Sequence, residues 1–414
     1  MVGAGILLLA AFFLWLFLLF FSPAKTTTPG TGSTATSTFG SAGQTTPGQT
    51  TTTTAGGTNQ PLGVSTSGSQ PQIFEISTGP VAGAVFMQSG IPTTTLARYV
   101  MADSGHVFDM AVDVPGAVAQ SVSNTTIPGI ENALWATSGQ APSKAGGEVL
   151  LQYLESGVTK TVFVGFPSAT STATTSAVAP IQIHFLPDNI AALALSPDGS
   201  SVAYLLLTRG GSTGYLANAN GTGSRTLFTL PLAQVALSWP SKNALLAVSK
   251  SDAASPGIAF SISAKTGAVS QLLFAQGLSA IADAAFSTII YQTTTSARQT
   301  FAHTIATGKD RALSYQPAPE KCAWSPTASS TLVCAAPVAS VPINYLDLWH
   351  QGLINTPDAL FAYNTQTGAS LALASPGSTD GGAVASISKV AISPDGKYLL
   401  YLTRGDRSLW GVRL

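Results

Sequence analysis

The sequence predicts an all-β protein built as a β-propeller, and three observations carry that expectation. Short apolar runs separated by turn residues fill the chain from about residue 73 onward, with almost no helical periodicity. A turn motif between two apolar runs occurs as Ser196, Pro197, Asp198, Gly199 and again as Ser393, Pro394, Asp395, Gly396. Weaker copies of that unit place anchoring serines at 138, 196, 238, 287, 325 and 393, with spacings of 58, 42, 49, 38 and 68. Propeller blades repeat at about 40–50 residues, so the short spacings fit and the two long ones imply loop insertions.

The chain begins with a different kind of segment. Residues 4–21 form an apolar run of 18 residues without charge or proline. As a helix it would extend about 27 Å, close to a hydrocarbon core, so residues 1–24 are expected to form a single-pass transmembrane anchor. A cleavable signal peptide is the alternative, but no basic residue precedes the run and the Ser22–Ala24 exit is a poor small-x-small site. No cysteine follows that could be lipidated. Lys25 alone would place the following residues in the cytoplasm, whereas the next segment argues for the outside.

That segment, residues 25–72, is Thr, Ser, Gly and Pro with few apolar side chains. It cannot bury enough surface to offset its ordering entropy and is expected to be a disordered linker with an end-to-end distance of about 40 Å. Its composition resembles glycosylated stalks at cell surfaces, although a linker without sugar reads equally well. Together the two segments point to a membrane-bound protein with its globular part on the extracytoplasmic side.

Residues 73–414 form the expected propeller domain. In each unit an apolar strand ends in Ser-Pro or Trp-Pro, a tight turn follows, and a second apolar strand returns. A further hairpin usually follows, with Thr-Gly at its turn in 259–274 and 360–373. Four antiparallel strands make a blade. Seven blades fit best, with six and eight left open. The last unit has room for only three strands, so residues 72–78 (QIFEIST) are expected to supply the fourth and join the domain's two ends. Residues 80–125 would then form the first complete blade.

The Ser-Pro-Asp-Gly-x-x-hydrophobic-x-Tyr signature at 196–204 and 393–401 resembles the TolB-like family of WD-type propeller repeats. The resemblance spans roughly residues 73–414 and implies the fold. It does not imply a function, because the matching Pro, Asp and Gly shape turns. TolB itself is soluble with a separate N-terminal domain, so this chain's apolar start and Thr-rich tract put a Tol–Pal role in doubt.

Net charge is zero, and charged residues make up 9% of the chain against about 25% in typical soluble domains. Without a basic surface, no nucleic-acid partner is expected. Cys322 and Cys334 lie equidistant from residue 328, so a hairpin centred there sets them opposite one another. That geometry is just compatible with a disulfide, while two buried free thiols are the alternative. The string Gly210-Gly211-Ser212-Thr213-Gly214 matches the nucleophile elbow of hydrolases but lies between two strands, where it reads as a hairpin loop. His106, His184, His303 and His350 are isolated and show no metal-ligand spacing, so no metal or cofactor is expected. Asp198 and Asp395 read as turn formers rather than calcium ligands. Arg209 and Arg404 occupy equivalent Leu-Thr-Arg-Gly positions and read as structural, with an anion-binding ring as the alternative.

Residues 337–356 are an insertion that the repeat does not require, carrying Tyr345, Leu346, Leu348 and Trp349. They are candidate anchors of a binding loop, or else a lid packed on the propeller's own face. The functional expectation is a non-catalytic scaffold that holds a protein, peptide or glycan in the cell envelope. The alternative is an enzyme of the lactonase or lyase type with its site in the central channel. Eighteen acidic residues and four scattered histidines supply such a channel poorly.

Overall fold

A strand covered by neighbouring sheets on both faces reads as a continuous apolar run rather than an alternating one. The second strand of each repeat has that character. Ala244–Ser249, Thr288–Thr293 and Tyr398–Thr403 each bury at least four consecutive residues. Such strands need sheets on either side, and a ring of blades provides them.

The computed structural model describes residues 73–89, 93–123, 126–135, 147–166, 181–377, 382 and 384–414. All of them fall in one compact unit, Thr66–Leu414. They form seven four-stranded antiparallel sheets. In chain order, blade one spans 81–123, blade two 130–185, blade three 190–230, blade four 235–276, blade five 279–312 and blade six 322–374. Blade seven takes three strands from 387–413, and its outer strand is Ile73–Ser77. The sequence-predicted closure is therefore present, with Ile73 opposite Val412, Phe74 opposite Gly411 and Glu75 opposite Trp410. Gly411 is needed at this seam, because a Cβ there would collide with the Phe74 ring.

Seven apolar clusters fill the interfaces between adjacent blades. One joins Leu150 and Phe163 of blade two to Ile190 and Val202 of blade three. Another joins Ile76 and Leu400 of blade seven to Val81 and Ala97 of blade one, which closes the ring. The core is thus divided among the blade interfaces, and each blade is held by its two neighbours.

The long spacing between the serine anchors of blades six and seven is explained by residues 338–357, inserted between the second and third strands of blade six. They contain a short helix, α1, at Tyr345–His350, a departure from the all-β expectation. The other long spacing includes residues 139–146 and 167–180, which lie outside the described residues together with Ser138. The apolar run 4–21 and the Thr-rich tract lie outside them as well. Among the described residues no helix is long and apolar enough to cross a membrane.

Candidate binding site

The insertion folds onto the propeller. Positions 345, 346 and 349 share one helical face, since side chains three and four residues apart lie one above the other. That face is apolar and turned inward: Tyr345 is 0% exposed, Leu346 8% and Trp349 7%. It packs with Ala318, Val341 and Ile354 in an eighth cluster, separate from the blade interfaces. Leu348 is partly exposed. Of the two arrangements open to this insertion, exposed anchors or a lid on the propeller's own face, the burial of Tyr345 and Trp349 is that of the lid. Both rings are used to cover a buried cation beneath the helix.

That cation is Lys321, fully buried, with its Nζ 2.9 Å from Asp358 Oδ2 and 2.8 Å from the Tyr345 hydroxyl. Asp358 Oδ2 also accepts the Ile387 amide at 2.7 Å, which ties blade six to blade seven. Nζ lies 4.6 Å from the centre of the Trp349 ring, and the Arg404 guanidinium stacks on the same ring at 4.5 Å. Burial raises the pKa of Asp358 above the ordinary carboxyl range, and the Lys321 charge opposes that rise. An ion pair withdrawn from water depends on hydrogen bonds to offset its lost hydration; Asp358 Oδ2 has two such partners, while Oδ1 is buried with none among the described residues. Here the pair fixes α1 in place.

With α1 held there, a recess of about 650 Å³ opens beside it. Leu237, from the inner strand of blade four, and Ile281, from that of blade five, form apolar walls. From α1, Leu346, Asp347 and His350 complete the lining. Asp347 Oδ2 accepts the Ala253 amide at 2.9 Å, linking α1 to blade four. His350 Nε2 lies 2.9 Å from the Glu320 carboxylate, a bond that raises the imidazole pKa while desolvation opposes it. The recess thus combines apolar walls with the ionisable side chains of Lys250, Asp252, Glu320, Asp347 and His350, suited to an amphipathic segment or ligand.

The other sequence-predicted residues fall elsewhere. Cys322 and Cys334 are paired across the first two strands of blade six and form a disulfide. Ser196, Pro197, Asp198 and Gly199 form a turn in blade three, and Ser393, Pro394, Asp395 and Gly396 form its counterpart in blade seven, with Gly199 and Gly396 at φ +71° and +74°. Gly211–Gly214 are part of a strand, not a hairpin loop, and Ser212 is buried. The turn is made by Arg209 and Gly210, because the flanking strands pair as far as Thr208 and Gly211. His303 pairs with Asp310 at 2.8 Å. Among the described residues no three His, Cys, Asp or Glu side chains converge as a metal site would require. On the inner strands the exposed positions are Gln88, Glu131, Ala191, Ala236 and Lys389, of which Glu131 and Lys389 carry titratable groups. Lys389 donates to Asn132 Oδ1 at 3.3 Å, and desolvation together with nearby Arg407 lowers its pKa.

Lys321, Asp358 and Asp347 were not singled out by sequence reasoning, and His350 was weighed only as an isolated histidine without metal-ligand spacing. The available signal was the 345/346/349 spacing, which marks a helix with one buried face rather than an irregular loop.

The fold and the recess define a class: a seven-bladed β-propeller with a helical insertion roofing part of one face. No family model matches the chain, and no curated protein sequence matches it. Among solved structures it is similar to TolB from Acinetobacter baumannii, at 13% identity and a TM-score of 0.41, over 72% of this chain and 64% of that one. It thus spans slightly less than two thirds of that TolB chain. It is also similar to an oligogalacturonate lyase in complex with manganese, at 12% identity and a TM-score of 0.51, covering 83% of this chain and 98% of the lyase. A chain of a mitotic checkpoint complex matches at 12% identity and a TM-score of 0.49, covering 86% and 98%. At such identities the likeness is one of fold, and one fold hosts many functions.

Proposed function

We propose that this chain is a membrane-tethered, extracytoplasmic propeller that acts as a non-catalytic binding scaffold in the cell envelope. Its partner, a protein, peptide or glycan, is held on the face that carries α1. The observation behind this reading is the recess beside α1, with apolar walls from two blades and lining ionisable groups, Asp347, His350 and Glu320, held by hydrogen bonds. A roof fixed through a buried ion pair presents its lining groups with less ordering cost on binding, which favours affinity. The apolar run at 4–21 and the Thr-rich tract support the tether, since together they would hold the propeller at a distance from a bilayer.

The test places a photo-crosslinking side chain at Gln351 in the recess and, as a control, at exposed Leu154 on blade two of the full chain in intact envelopes. A discrete adduct from position 351 and none from 154 is expected, with the chain remaining in the membrane pellet after alkaline extraction. Equal adducts from both positions, or release into the alkaline supernatant, would count against the reading. Turnover of a lactone or glycan that Lys389→Met abolishes would replace it with the channel-enzyme alternative.

A further inference from the structure

A second recess, of about 570 Å³, shares Ile343 with the first but is lined differently. It lies between residues 296–298 of blade five, residues 315–316, and the start of the insertion at 337–341. Its single charged lining residue is Arg298, and no acidic side chain contributes to its wall. The Arg298 guanidinium faces the Tyr345 ring at 5.3 Å, and its Nη1 donates to Gln316 O and Gln292 Oε1. Among the described residues its Nε and Nη2 donate to no protein acceptor. Those two nitrogens form the edge by which arginine grips a carboxylate side-on. Arg98 does so elsewhere in this molecule, where Nε and Nη2 each lie 2.7 Å from Asp109. Asp358 is the carboxylate whose field reaches Arg298, and it is already bonded to Lys321.

The apolar part of this recess is also built with care. Tyr315 stacks on Phe361 at 4.3 Å yet is 57% exposed. Tyr315 and Gln316 have φ of +54° and +43°, two consecutive side-chain-bearing residues in the left-handed region. Such a conformation is unfavourable and persists only where the surroundings impose it. Here Gln316 bonds to the Thr300 amide and to Leu313 O, which holds Tyr315 in the wall of the recess that Pro337 and Val338 also line.

We propose that this second recess binds a carboxylate borne on an apolar body, with the carboxylate on the Nε–Nη2 edge of Arg298 and the apolar part against Tyr315 and Val338. Either a small organic acid or the C-terminus of a peptide presents this chemistry. The proposal does not depend on the first recess being occupied.

The test is calorimetric titration of the full chain with 3-phenylpropanoate, its primary amide, and N-acetyl-Gly-Phe with a free or amidated C-terminus. Both acids are expected to bind, and the amides to bind about tenfold more weakly or worse. Arg298→Gln should abolish binding of the acids. Because that change also removes a contact to Tyr345, Ala297→Asp is the second variant: it sets a tethered carboxylate beside Arg298 while leaving its packing in place. It should weaken the acids by about tenfold or more while leaving the thermal midpoint within a few degrees. Tighter binding of the peptide acid would assign the ligand as a chain terminus, and tighter binding of phenylpropanoate as a small acid. Equal affinity for acids and amides, wild-type affinity in Ala297→Asp, or no binding of either acid at millimolar concentration would overturn the proposal.

Discussion

Blades three and seven make their first turn by one set of bonds, and blade six makes the equivalent turn by another. In blade three, Ser196 Oγ donates to Asp198 Oδ1 at 2.6 Å and accepts the Ser201 amide at 3.0 Å. In blade seven, Ser393 Oγ donates to Asp395 Oδ1 at 2.6 Å and accepts the Tyr398 amide at 2.9 Å. Blade six keeps Ser325 and Pro326 but has Thr327 in place of the aspartate, and among the described residues the Ser325 hydroxyl meets the Thr327 hydroxyl and amide alone, at 3.1 and 3.3 Å. What blade six has instead is longer in range: the Cys322–Cys334 bridge and the Lys321–Asp358 pair. The blade with the weaker repeat is also the one that carries the insertion. The repeat residues account for the ring, and the residues outside the repeat account for the candidate site.

If that division is right, blade six should be the more sensitive to loss of its special contacts. The largest effect is expected for Asp358→Ala, which strands Lys321 as a buried charge and should cost about 3–5 kcal/mol, read from denaturant midpoints. A loss no greater than that of a turn serine would break the contrast. Next comes the double change Cys322→Ser with Cys334→Ser. The bridge closes a loop with a sequence separation of 12, so its removal should cost about 2–3 kcal/mol. Ser196→Ala and Ser393→Ala should each cost about 1 kcal/mol, and alike, since the two hydroxyls make matching bonds. A marked inequality between them would show that one of the two turns does more than close a blade.

The smallest effect concerns pH. Glu320 raises the pKa of His350 above the ordinary 6.5, so the stabilisation from this pair is fully present below that value. It is lost as pH rises through the higher folded-state pKa. Because the His350 side chain is 54% exposed, the contribution should be only about 0–1 kcal/mol. Comparing the pH dependence of the unfolding midpoint in wild type and Glu320→Gln should sharpen this, with the variant giving the flatter profile.

The ring was legible in the sequence because blade turns are local. Ser196 through Gly199 announce a turn whatever surrounds them, and the strand-like run around Phe74, with no hairpin partner assigned to it, was free to complete the blade that contains Trp410. The candidate site was legible only as an insertion. Tyr345 and Trp349 were conspicuous as aromatic residues, but whether an aromatic ring in a long loop faces solvent depends on what lies beneath it. What lies beneath is Lys321, and its partner Asp358 is 37 residues further on. In the sequence each reads as an ordinary surface charge, because nothing local shows that two such charges will meet away from water. The open edge of Arg298 was hidden for the same reason.

The claim on which the functional account rests is that the blade six insertion is a folded roof pinned to the propeller. Hydrogen exchange of the intact chain addresses it most directly. The Leu348, Gln351 and Leu353 amides donate within the insertion, and the Ala253 amide donates to Asp347 Oδ2. These four should exchange slowly in wild type and much faster in Asp358→Ala, with strand amides of blade three unchanged. Exchange of the four in wild type at the rate of an unstructured peptide would contradict the account.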